Sequence, residues 1–312
     1  MPPGARLWSG FHFGWCDEQG RPQAARPGKA LRPALAVGCG ESVGGTASHL
    51  VPVGAAVELV HNFSLIHDDV IDGDRMRRGR PALWSAFGVP AALLGGDALL
   101  AHACSVLARI PPQRGTPLAQ RLCATVQELI EGQALDIAFE TRTEVTLKEY
   151  TAMALGKTGS LMGAACTLGA LAAGCEPERA VHFDRFGRAL GLAFQITDDL
   201  LGLFGDAQAT GKPVGSDLAR RKKTYPVLAA CAEDARAAAE LGRLYGQRHP
   251  LTAQQVERGL LAVRRAGGAK RAREAACRAL NEAYTHLDAA APLPGPRRAL
   301  ADLARLMTDR SR

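Results

Sequence analysis

Apolar residues recur along this chain at intervals of three and four positions, and no stretch shows a competing strand pattern. Val53, Ala56, Val57 and Val60 form one such stripe, which is typical of an amphipathic helix. The same periodicity predicts helices over residues 47–72, 118–140, 147–173, 178–204, 233–247, 253–267 and 269–290. Glycine and proline residues stand between these segments and end the helices. The pattern therefore predicts an all-α protein.

The breaks between the predicted helices are short, and none has the length and polarity of a linker between domains. A chain of 312 residues suggests two domains by average domain size. The missing linker and the absence of a repeat of fixed period favour one helical domain over residues 1–312 instead. With 47% hydrophobic and 22% charged residues, the composition is that of a folded protein.

The composition also limits compartment and partners. Eight cysteines stand at irregular spacings without a Cys-x-x-Cys pair, which argues against zinc and against a disulfide framework and favours the cytoplasm. No signal peptide is apparent, and charges such as Asp97 and Lys157 interrupt the longest apolar stretches, so no membrane span is expected. The net charge of +7 permits an anionic partner, but no aromatic platform or known motif supports nucleic acid.

Two acidic motifs lie within predicted helices. Asp68 and Asp72 are four residues apart, so they share one helix face, and Asp198-Asp199 follows Gln195 on another helix. Like charges at this spacing repel, and a helix tolerates them better with a cation between them; hard oxygen ligands point to magnesium. A solvated acidic helix surface is the alternative for each motif. If the two faces lay opposite one another, they would hold several divalent ions against a diphosphate.

Basic residues beside glycine or proline complete the candidate site. At expected helix ends, a phosphate can meet both a cation and free backbone N–H groups. The residues are Lys29, Arg32, Arg77, Arg78, Lys157, Lys212 and Lys222. Taken singly, each of them is better explained by a solvated surface charge than by a contact with a ligand.

The ordered set of motifs resembles the trans-isoprenyl diphosphate synthases of the polyprenyl synthetase family, most closely the geranylgeranyl diphosphate synthases. The resemblance runs from about residue 27 to 226 and rests on Gly28-Lys29, Arg32-Pro33, His61, Asp68-Asp69-x-x-Asp72, Arg77-Arg78-Gly79, Gly96-Asp97, Glu131-Gly-Gln133 with Asp136, Lys157-Thr158, Phe194-Gln195-x-x-Asp198-Asp199, Gly211-Lys212-Pro213 and Lys222-Lys223-Thr224-Tyr225-Pro226. It implies the isoprenoid synthase fold, a single bundle of antiparallel helices around a deep central cavity. It also implies a homodimer.

The resemblance implies a role for each matched residue in joining isopentenyl diphosphate to an allylic diphosphate. The diphosphate of isopentenyl diphosphate would be bound without metal by Lys29, Arg32, His61 and Arg78. Three Mg²⁺ ions would be bound by Asp68, Asp72 and Asp198, with Asp69 and Asp199 supporting. The allylic diphosphate would be held by Arg77, Lys157, Lys212 and Lys222. The allylic carbocation would be stabilised by the side-chain oxygens of Thr158 and Gln195.

Product length in this family follows the residues just before the first aspartate motif. Here Phe63 is bulky and Ser64 is small, a pattern that resembles geranylgeranyl diphosphate synthases of the archaeal type and predicts a C20 product, with C15 as the alternative. Helical phase places Ser64 within about 40° of the Asp68 direction but Phe63 about 140° away. The role of Phe63 as the floor of the product tunnel therefore rests on the resemblance, and an ordinary core aromatic is the alternative.

Three features depart from the family pattern. Gly202 stands where the family often has the third aspartate of the second motif, which predicts weakened rather than abolished metal binding. Ala30 replaces an arginine of the first basic motif, leaving Lys29 and Arg32, which are expected one helical turn apart. Only 28 residues precede Lys29, so an N-terminal helix is expected to be missing or shortened.

Two other classes of function compete with the synthase. A class I terpene cyclase shares Asp-Asp-x-x-Asp and magnesium, but this chain lacks the cyclase motif Asn-Asp-x-x-Ser-x-x-x-Glu, and a cyclase has no use for Lys29, Arg32 and His61. A catalytically inactive regulatory subunit of a partner synthase is supported by Gly202 and the short N-terminus alone. The remaining metal and diphosphate positions are intact, which favours the enzyme.

Overall fold

The periodic stretches fold as helices. The computed structural model describes residues 1–23, 28–206 and 213–309. Most of these residues are helical, and the named strands among them form one pair, of two residues each. The all-α prediction is confirmed. The described helices and strands belong to two compact units. Unit 1 comprises Met1–Ala124 and Ala164–Ala180, and unit 2 comprises Thr125–Gly163 and the chain from Val181 onward.

The first part of the chain, up to residue 107, carries five helices and the two strands. They are α1 (Pro3–Phe13), α2 (Leu31–Glu41), α3 (Ala47–Ile71), β1 (Met76–Arg77), β2 (Arg80–Pro81), α4 (Leu83–Phe87) and α5 (Val89–Leu107). The strands pair antiparallel, with Met76 opposite Pro81 and Arg77 opposite Arg80. Three further helices, α6 (Pro112–Thr141), α8 (Ser160–Ala172) and α9 (Pro177–Phe204), contribute residues to both units.

The core of unit 1 is built on α3, which packs against α2 and α5. Its predicted stripe faces inward, since Val53, Val57 and Val60 are fully buried. Leu99 of α5 is fully buried as well. Small residues let the helices approach closely. A Cβ atom on Gly169 of α8 would lie 2.7 Å from the carbonyl carbon of Ala36, so this position accepts glycine alone without a backbone shift.

Two helices of unit 1, α3 and α5, are long and apolar enough to cross a membrane by length and composition. They pack against one another, and 50% of the apolar window of α3 and 33% of that of α5 are buried inside the protein. Core helices of water-exposed proteins share these properties, so they are weak support for a membrane span.

Unit 2 contains the remaining helices. They are α7 (Leu147–Ala154), a π-helical turn (Leu155–Gly159), α10 (Ser216–Ala219), α11 (Tyr225–Glu233), α12 (Ala235–Tyr245), α13 (Ala253–Arg265), α14 (Gly268–Ala289) and α15 (Pro294–Thr308). One apolar cluster gathers Phe139, Tyr150, Ile196 and Leu228. A second cluster gathers Leu203, Leu218, Val227, Leu241 and Val263. Capping boxes, Thr146 with Glu149 and Thr252 with Gln255, fix the starts of α7 and α13.

One expectation about the N-terminal region is wrong. Lys29 and Arg32 do not lie on one helical turn, because Ala30 has a φ of 47° and α2 begins only at Leu31. A residue with positive φ cannot continue a right-handed helix, so Lys29 lies in the segment before it. The N-terminal region, where a missing or shortened helix is expected, does contain a helix, α1, of 11 residues; that it is shortened stays a prediction.

Candidate active site

The first aspartate motif lies at the end of α3 and its three carboxylates differ in environment. Asp68 and Asp72 are partly exposed on successive turns, and the N–H of Asp72 caps the helix by donating to the carbonyl of Asp68 at 2.8 Å. Asp69 is 1% exposed and forms an ion pair with Arg77, whose Nε donates to Oδ1 at 2.9 Å. Burial raises the pKa of Asp69, and Arg77 opposes that rise. Asp69 is thus engaged by Arg77, and its supporting role at a metal site stays a prediction.

Arg77 and Arg78 lie on a tight hairpin formed by β1 and β2. The two turn residues, Arg78 and Gly79, have φ values of 55° and 75°, as a two-residue type I′ turn requires. Arg77 faces Asp69, whereas Arg78 is exposed at the tip. The Arg78 guanidinium lies against the backbone of Gly28, since a Cβ atom there would be 2.7 Å from its Nη2 atom.

Three of the residues predicted to bind isopentenyl diphosphate lie together in unit 1. Nη1 of Arg32 is 3.2 Å from Nε2 of His61. Burial, followed by the charges of Arg32 and Arg78, holds the pKa of His61 well below its usual value. The imidazole of His61 is therefore neutral, and the positive charge of this group comes from the two arginines. Lys29 precedes α2 and adjoins the Gly28 backbone that Arg78 contacts.

Phe63 and Ser64, the candidate determinants of product length, have different surroundings. The Phe63 ring is 6% exposed and meets the His67 ring edge-on, with centroids 4.7 Å apart. His67 in turn lies over Gly96 of α5, where a Cβ atom would be 2.5 Å from its Cδ2 atom. Ser64 donates to the carbonyl of His61 at 2.8 Å, so its small side chain folds back onto α3.

Lys157 and Thr158 lie on the π-helical turn of unit 2, where the backbone leaves regular α-helical geometry. Gly132 of α6 sits directly beneath, since a Cβ atom there would be 2.5 Å from the carbonyl carbon of Gly156 and 2.8 Å from Cα of Lys157. The Lys157 ammonium donates to Asp136 at 2.6 Å. Glycine at 132 therefore lets α6 support the turn that carries Lys157.

A buried chain of hydrogen bonds joins Thr158 to the second aspartate motif. The Thr158 hydroxyl donates to Oε1 of Gln195 at 2.7 Å, and Nε2 of Gln195 donates to Oδ1 of Asp199 at 3.1 Å. The other carboxylate oxygen of Asp199 accepts the Tyr150 hydroxyl at 2.7 Å and the Tyr225 N–H at 2.8 Å. Gln195 is thus fixed in one orientation by donors and acceptors at both ends of its amide.

Asp199 is 6% exposed, and this burial raises its pKa to about 7. The donors Tyr150, Tyr225 and Gln195 oppose the rise because they stabilise the ionised form. Burial and the nearby Asp199 charge also raise the pKa of Tyr150 well above its usual value, so its hydroxyl keeps its proton and donates. Both carboxylate oxygens of Asp199 are therefore engaged with neighbouring residues.

The structure describes two of the three remaining residues predicted at the second motif. Asp198 is partly exposed on α9, and Lys222 is partly exposed before α11, where its carbonyl accepts the Tyr245 hydroxyl at 3.0 Å. Lys212 lies outside the described residues. Gly202 is explained by its surroundings, because a Cβ atom there would be 2.5 Å from Cγ of Asp217 on α10.

Sequence reasoning missed several of these partners. Tyr150 stands in no motif, and the signal for Tyr225 was its place in the Lys-Lys-Thr-Tyr-Pro segment. Asp217 also stands in no motif, although its side chain occupies the space that a side chain at position 202 would need.

The partly exposed carboxylates of each unit have the chemistry of magnesium ligands, with water and substrate oxygens as the further ligands that Mg²⁺ requires. Among the described residues, no three His, Cys, Asp or Glu side chains converge on one point. Asp68, Asp72 and Asp198 offer partly exposed carboxylate oxygens, which are the hard ligands that Mg²⁺ prefers beside water and phosphate oxygens.

Comparison with known proteins agrees with the motifs and the fold. A model of the polyprenyl synthetase family matches residues 15–262 of this chain. The geranylgeranyl diphosphate synthase of Mycobacterium tuberculosis (strain ATCC 25618 / H37Rv) is 46% identical over 261 residues, which cover 83% of this chain and 75% of that protein. A (2E,6E)-farnesyl diphosphate synthase of Mycobacterium bovis is 46% identical over 227 residues, which cover 73% of this chain and 63% of that protein. The match therefore spans less than two thirds of that synthase.

The crystal structure of a polyprenyl synthetase from Streptomyces coelicolor A3(2) has a TM-score of 0.94 and 38% identity. The match covers 98% of this chain and 93% of that one. This likeness confirms the expected isoprenoid synthase fold.

Proposed function

The chain belongs to the polyprenyl synthetase family, and from this premise we propose that it is a prenyltransferase that condenses isopentenyl diphosphate with an allylic diphosphate. The product would be a trans-polyprenyl diphosphate five carbons longer than the allylic substrate. The names of relatives that are 46% identical, a geranylgeranyl and a farnesyl diphosphate synthase, support the substrate class. The match runs through both compact units, which supports one synthase domain over residues 1–312.

The observation that carries the proposal is the hydrogen-bonded chain from Thr158 through Gln195 to Asp199. Because the Thr158 hydroxyl gives its proton to Gln195, the Thr158 oxygen keeps its lone pairs for a second partner. Side-chain oxygens that are already held in place by hydrogen bonds can stabilise an electron-poor carbon, because they need not reorient when positive charge develops on it. We propose that they face the allylic carbocation.

Binding of isopentenyl diphosphate is assigned to Arg32, His61 and Arg78, with Lys29 beside them. Guanidinium groups bind phosphate oxygens through paired N–H donors. The neutral His61 adds a donor without adding charge, and the two arginines and the lysine supply the positive charge that a diphosphate requires.

The allylic diphosphate is assigned to Arg77, Lys157, Lys212 and Lys222, and Asp68, Asp72 and Asp198 would hold about three Mg²⁺ ions. When bound, these ions neutralise the negative charge that gathers on the departing diphosphate as the C–O bond breaks. Lys157 keeps two N–H donors beyond the one that it gives to Asp136. Cations aimed at the leaving group lower the barrier because they bind it more strongly in the transition state.

The reaction then balances without a further reagent. The allylic C–O bond breaks and both electrons leave with the diphosphate. The double bond of isopentenyl diphosphate attacks C1 of the carbocation, a new C–C bond forms, and a proton passes to the released diphosphate. Water would quench the carbocation, so the reaction needs an apolar surrounding.

We propose a C20 product, with C15 as the alternative. The relative named a geranylgeranyl diphosphate synthase aligns over 83% of this chain, and one named a farnesyl diphosphate synthase aligns over 73%. The bulky, buried Phe63 supports a short product. Ser64 lies within about 40° of the Asp68 direction on α3, and its small side chain is consistent with room for a C20 chain there.

A cytoplasmic homodimer is also part of the proposal. Val89, Leu93 and Leu94 are exposed on α5, and Ile130 and Ile137 are exposed on α6. Apolar side chains that recur along exposed helix faces are typical of an interface.

Release of inorganic diphosphate tests the proposed reaction. Wild-type protein should release it only when isopentenyl diphosphate, an allylic diphosphate and Mg²⁺ are all present. Asp68→Ala should abolish release, whereas the matched control Asp74→Ala, which removes a carboxylate two residues beyond the motif, should retain it. Undiminished release by Asp68→Ala would contradict the metal assignment.

A further inference from the structure

The hairpin of residues 76–81 carries Arg77 and Arg78, and its turn needs support from outside. Arg78 has a φ of 55°, in the left-handed region that non-glycine residues rarely adopt. Such a conformation persists only where neighbouring contacts hold it. One contact is the ion pair between Arg77 and Asp69. Besides the contact of Arg78 with Gly28, another support lies on the opposite strand, at Arg80, which pairs directly with Arg77.

Arg80 ties the hairpin to the end of α1. Its Nη1 donates to the carbonyl of Phe11 at 3.0 Å, and its Nη2 donates to the carbonyl of Cys16 at 3.3 Å. Its guanidinium also lies over the Phe11 ring, 4.8 Å from the centroid. A cation near a helix C-terminus is favoured by the helix dipole, so the contact with the Phe11 carbonyl is favourable. Both terminal nitrogens of Arg80 are thereby engaged in contacts with the protein.

The end of α1 is itself held firmly in unit 1. The Phe11 ring is 4% exposed and meets the Phe87 ring edge-on at 5.1 Å. His12 lies 3.0 Å from Oδ1 of the fully buried Asn62. The Asn62 amide donates to the carbonyl of Glu58 at 2.8 Å and to its carboxylate at 3.0 Å, so α1 is joined to α3 next to His61. The anchor for Arg80 is therefore part of the same unit as the proposed isopentenyl diphosphate site.

We propose that Arg80 is a positioning residue for isopentenyl diphosphate, which joins the hairpin to α1 and so places Arg78 for the diphosphate. This inference rests on the proposed function. Arg77 has its own anchor in Asp69, so loss of Arg80 should affect Arg78 more than Arg77. The effect should therefore fall on isopentenyl diphosphate rather than on the allylic substrate.

Arg80→Met tests the proposal, with Arg75→Met as the matched control. Arg75 is exposed on the same segment and lies over the Trp84 ring, so its loss removes equal charge without touching α1. In Arg80→Met we expect the KM for isopentenyl diphosphate to rise about tenfold, the loss expected for a charge-assisted hydrogen bond. The kcat and the KM for the allylic diphosphate should change less than twofold. Arg80→Lys, which keeps the charge and one donor, should give an intermediate KM.

Tryptophan fluorescence gives a second readout without turnover. The chain has three tryptophans: Trp8 lies on α1, Trp15 just after α1, and Trp84 on α4. Titration with isopentenyl diphosphate alone should give a Kd about tenfold weaker in Arg80→Met than in wild type or Arg75→Met. Circular dichroism at the assay temperature establishes that each variant is folded; Arg80→Lys replaces Arg80→Met if that variant unfolds.

Three results would overturn the proposal. They are an unchanged KM and Kd in Arg80→Met, an equal rise in Arg75→Met, and a parallel change of kcat and both KM values. Failure of the proposed function is distinguishable, because wild-type protein would then show no turnover with any allylic primer. Even without turnover, a Kd for isopentenyl diphosphate that is weaker in Arg80→Met but not in Arg75→Met would support the positioning role of Arg80 for a diphosphate ligand.

Discussion

Restoring an aspartate at position 202 should damage this protein instead of improving it. The family often has an aspartate there, but a Cβ atom at 202 would lie 2.5 Å from Cγ of Asp217. The Ser216 hydroxyl also donates to the Gly202 carbonyl at 3.3 Å, which keeps α10 close to α9. Asp217 therefore occupies the space, and provides the negative charge, that a side chain at 202 would otherwise supply.

The expected cost has a steric and an electrostatic part. Overpacking by Gly202→Ala costs roughly 1–3 kcal/mol, partly offset by the gain of about 1 kcal/mol in helix propensity. Gly202→Asp adds a second carboxylate beside Asp217, and two like charges 4 Å apart repel by about 4 kcal/mol at an effective dielectric constant of 20. Because both side chains can rotate away, we expect Gly202→Asp to be about 2 kcal/mol less stable than Gly202→Ala.

Urea unfolding at pH 7 measures these differences. Gly202→Asp combined with Asp217→Ala should recover most of the lost free energy, since the double variant removes the repulsion and opens the space. If Gly202→Asp were as stable as the wild type, or if Asp217→Ala did not relieve it, the steric and charge explanation of Gly202 would be wrong.

Three further predictions follow from the structure. Burial lowers the pKa of His12 to about 4, so the unfolded chain binds the proton more tightly and stability falls as pH drops below about 6.5. Between pH 7 and pH 5, urea unfolding should show wild type losing about 2 kcal/mol more than His12→Gln; equal losses would contradict this. Gly132→Ala should cost about 3 kcal/mol and most of the turnover, because the new Cβ atom meets the backbone of Gly156 and Lys157; a stable, active variant would contradict the close approach. Phe63→Ala should give longer products in a radiolabelled chain-length assay, and an unchanged product length would favour an ordinary core role for Phe63.

The long helices could be predicted because a 3.6-residue apolar period directly reflects the face that is buried. The predicted segments 178–204 and 253–267 match α9 and α13 to within two residues at either end. The predicted segment 147–173 contains a π-helical turn that periodicity cannot show, since one extra residue barely changes the apolar pattern. The hairpin was missed because strands of two residues carry no alternation.

The candidate site was predictable where its residues lie on one helix and hidden where contacts join distant segments. Asp68 and Asp72 follow from four-residue spacing. Gln195 was placed beside Asp198 by three-residue spacing, whereas its amide contacts Asp199 instead. The contacts of Asp199 with Tyr150 and Tyr225 span 49 and 26 residues, and no local pattern reports them. The positive φ of Ala30, which removes Lys29 from α2, is a conformation that alanine seldom adopts and that the sequence does not signal.

The products formed from defined primers test the central claim most directly. Isopentenyl diphosphate and Mg²⁺ are supplied with C5, C10 or C15 allylic diphosphates, and the dephosphorylated products are separated by chromatography. The proposed function predicts linear products that end at C20, and products that end at C15 would select the farnesyl alternative. No product from any primer would contradict the synthase and favour a regulatory subunit, whereas a cyclic hydrocarbon formed without isopentenyl diphosphate would favour a terpene cyclase.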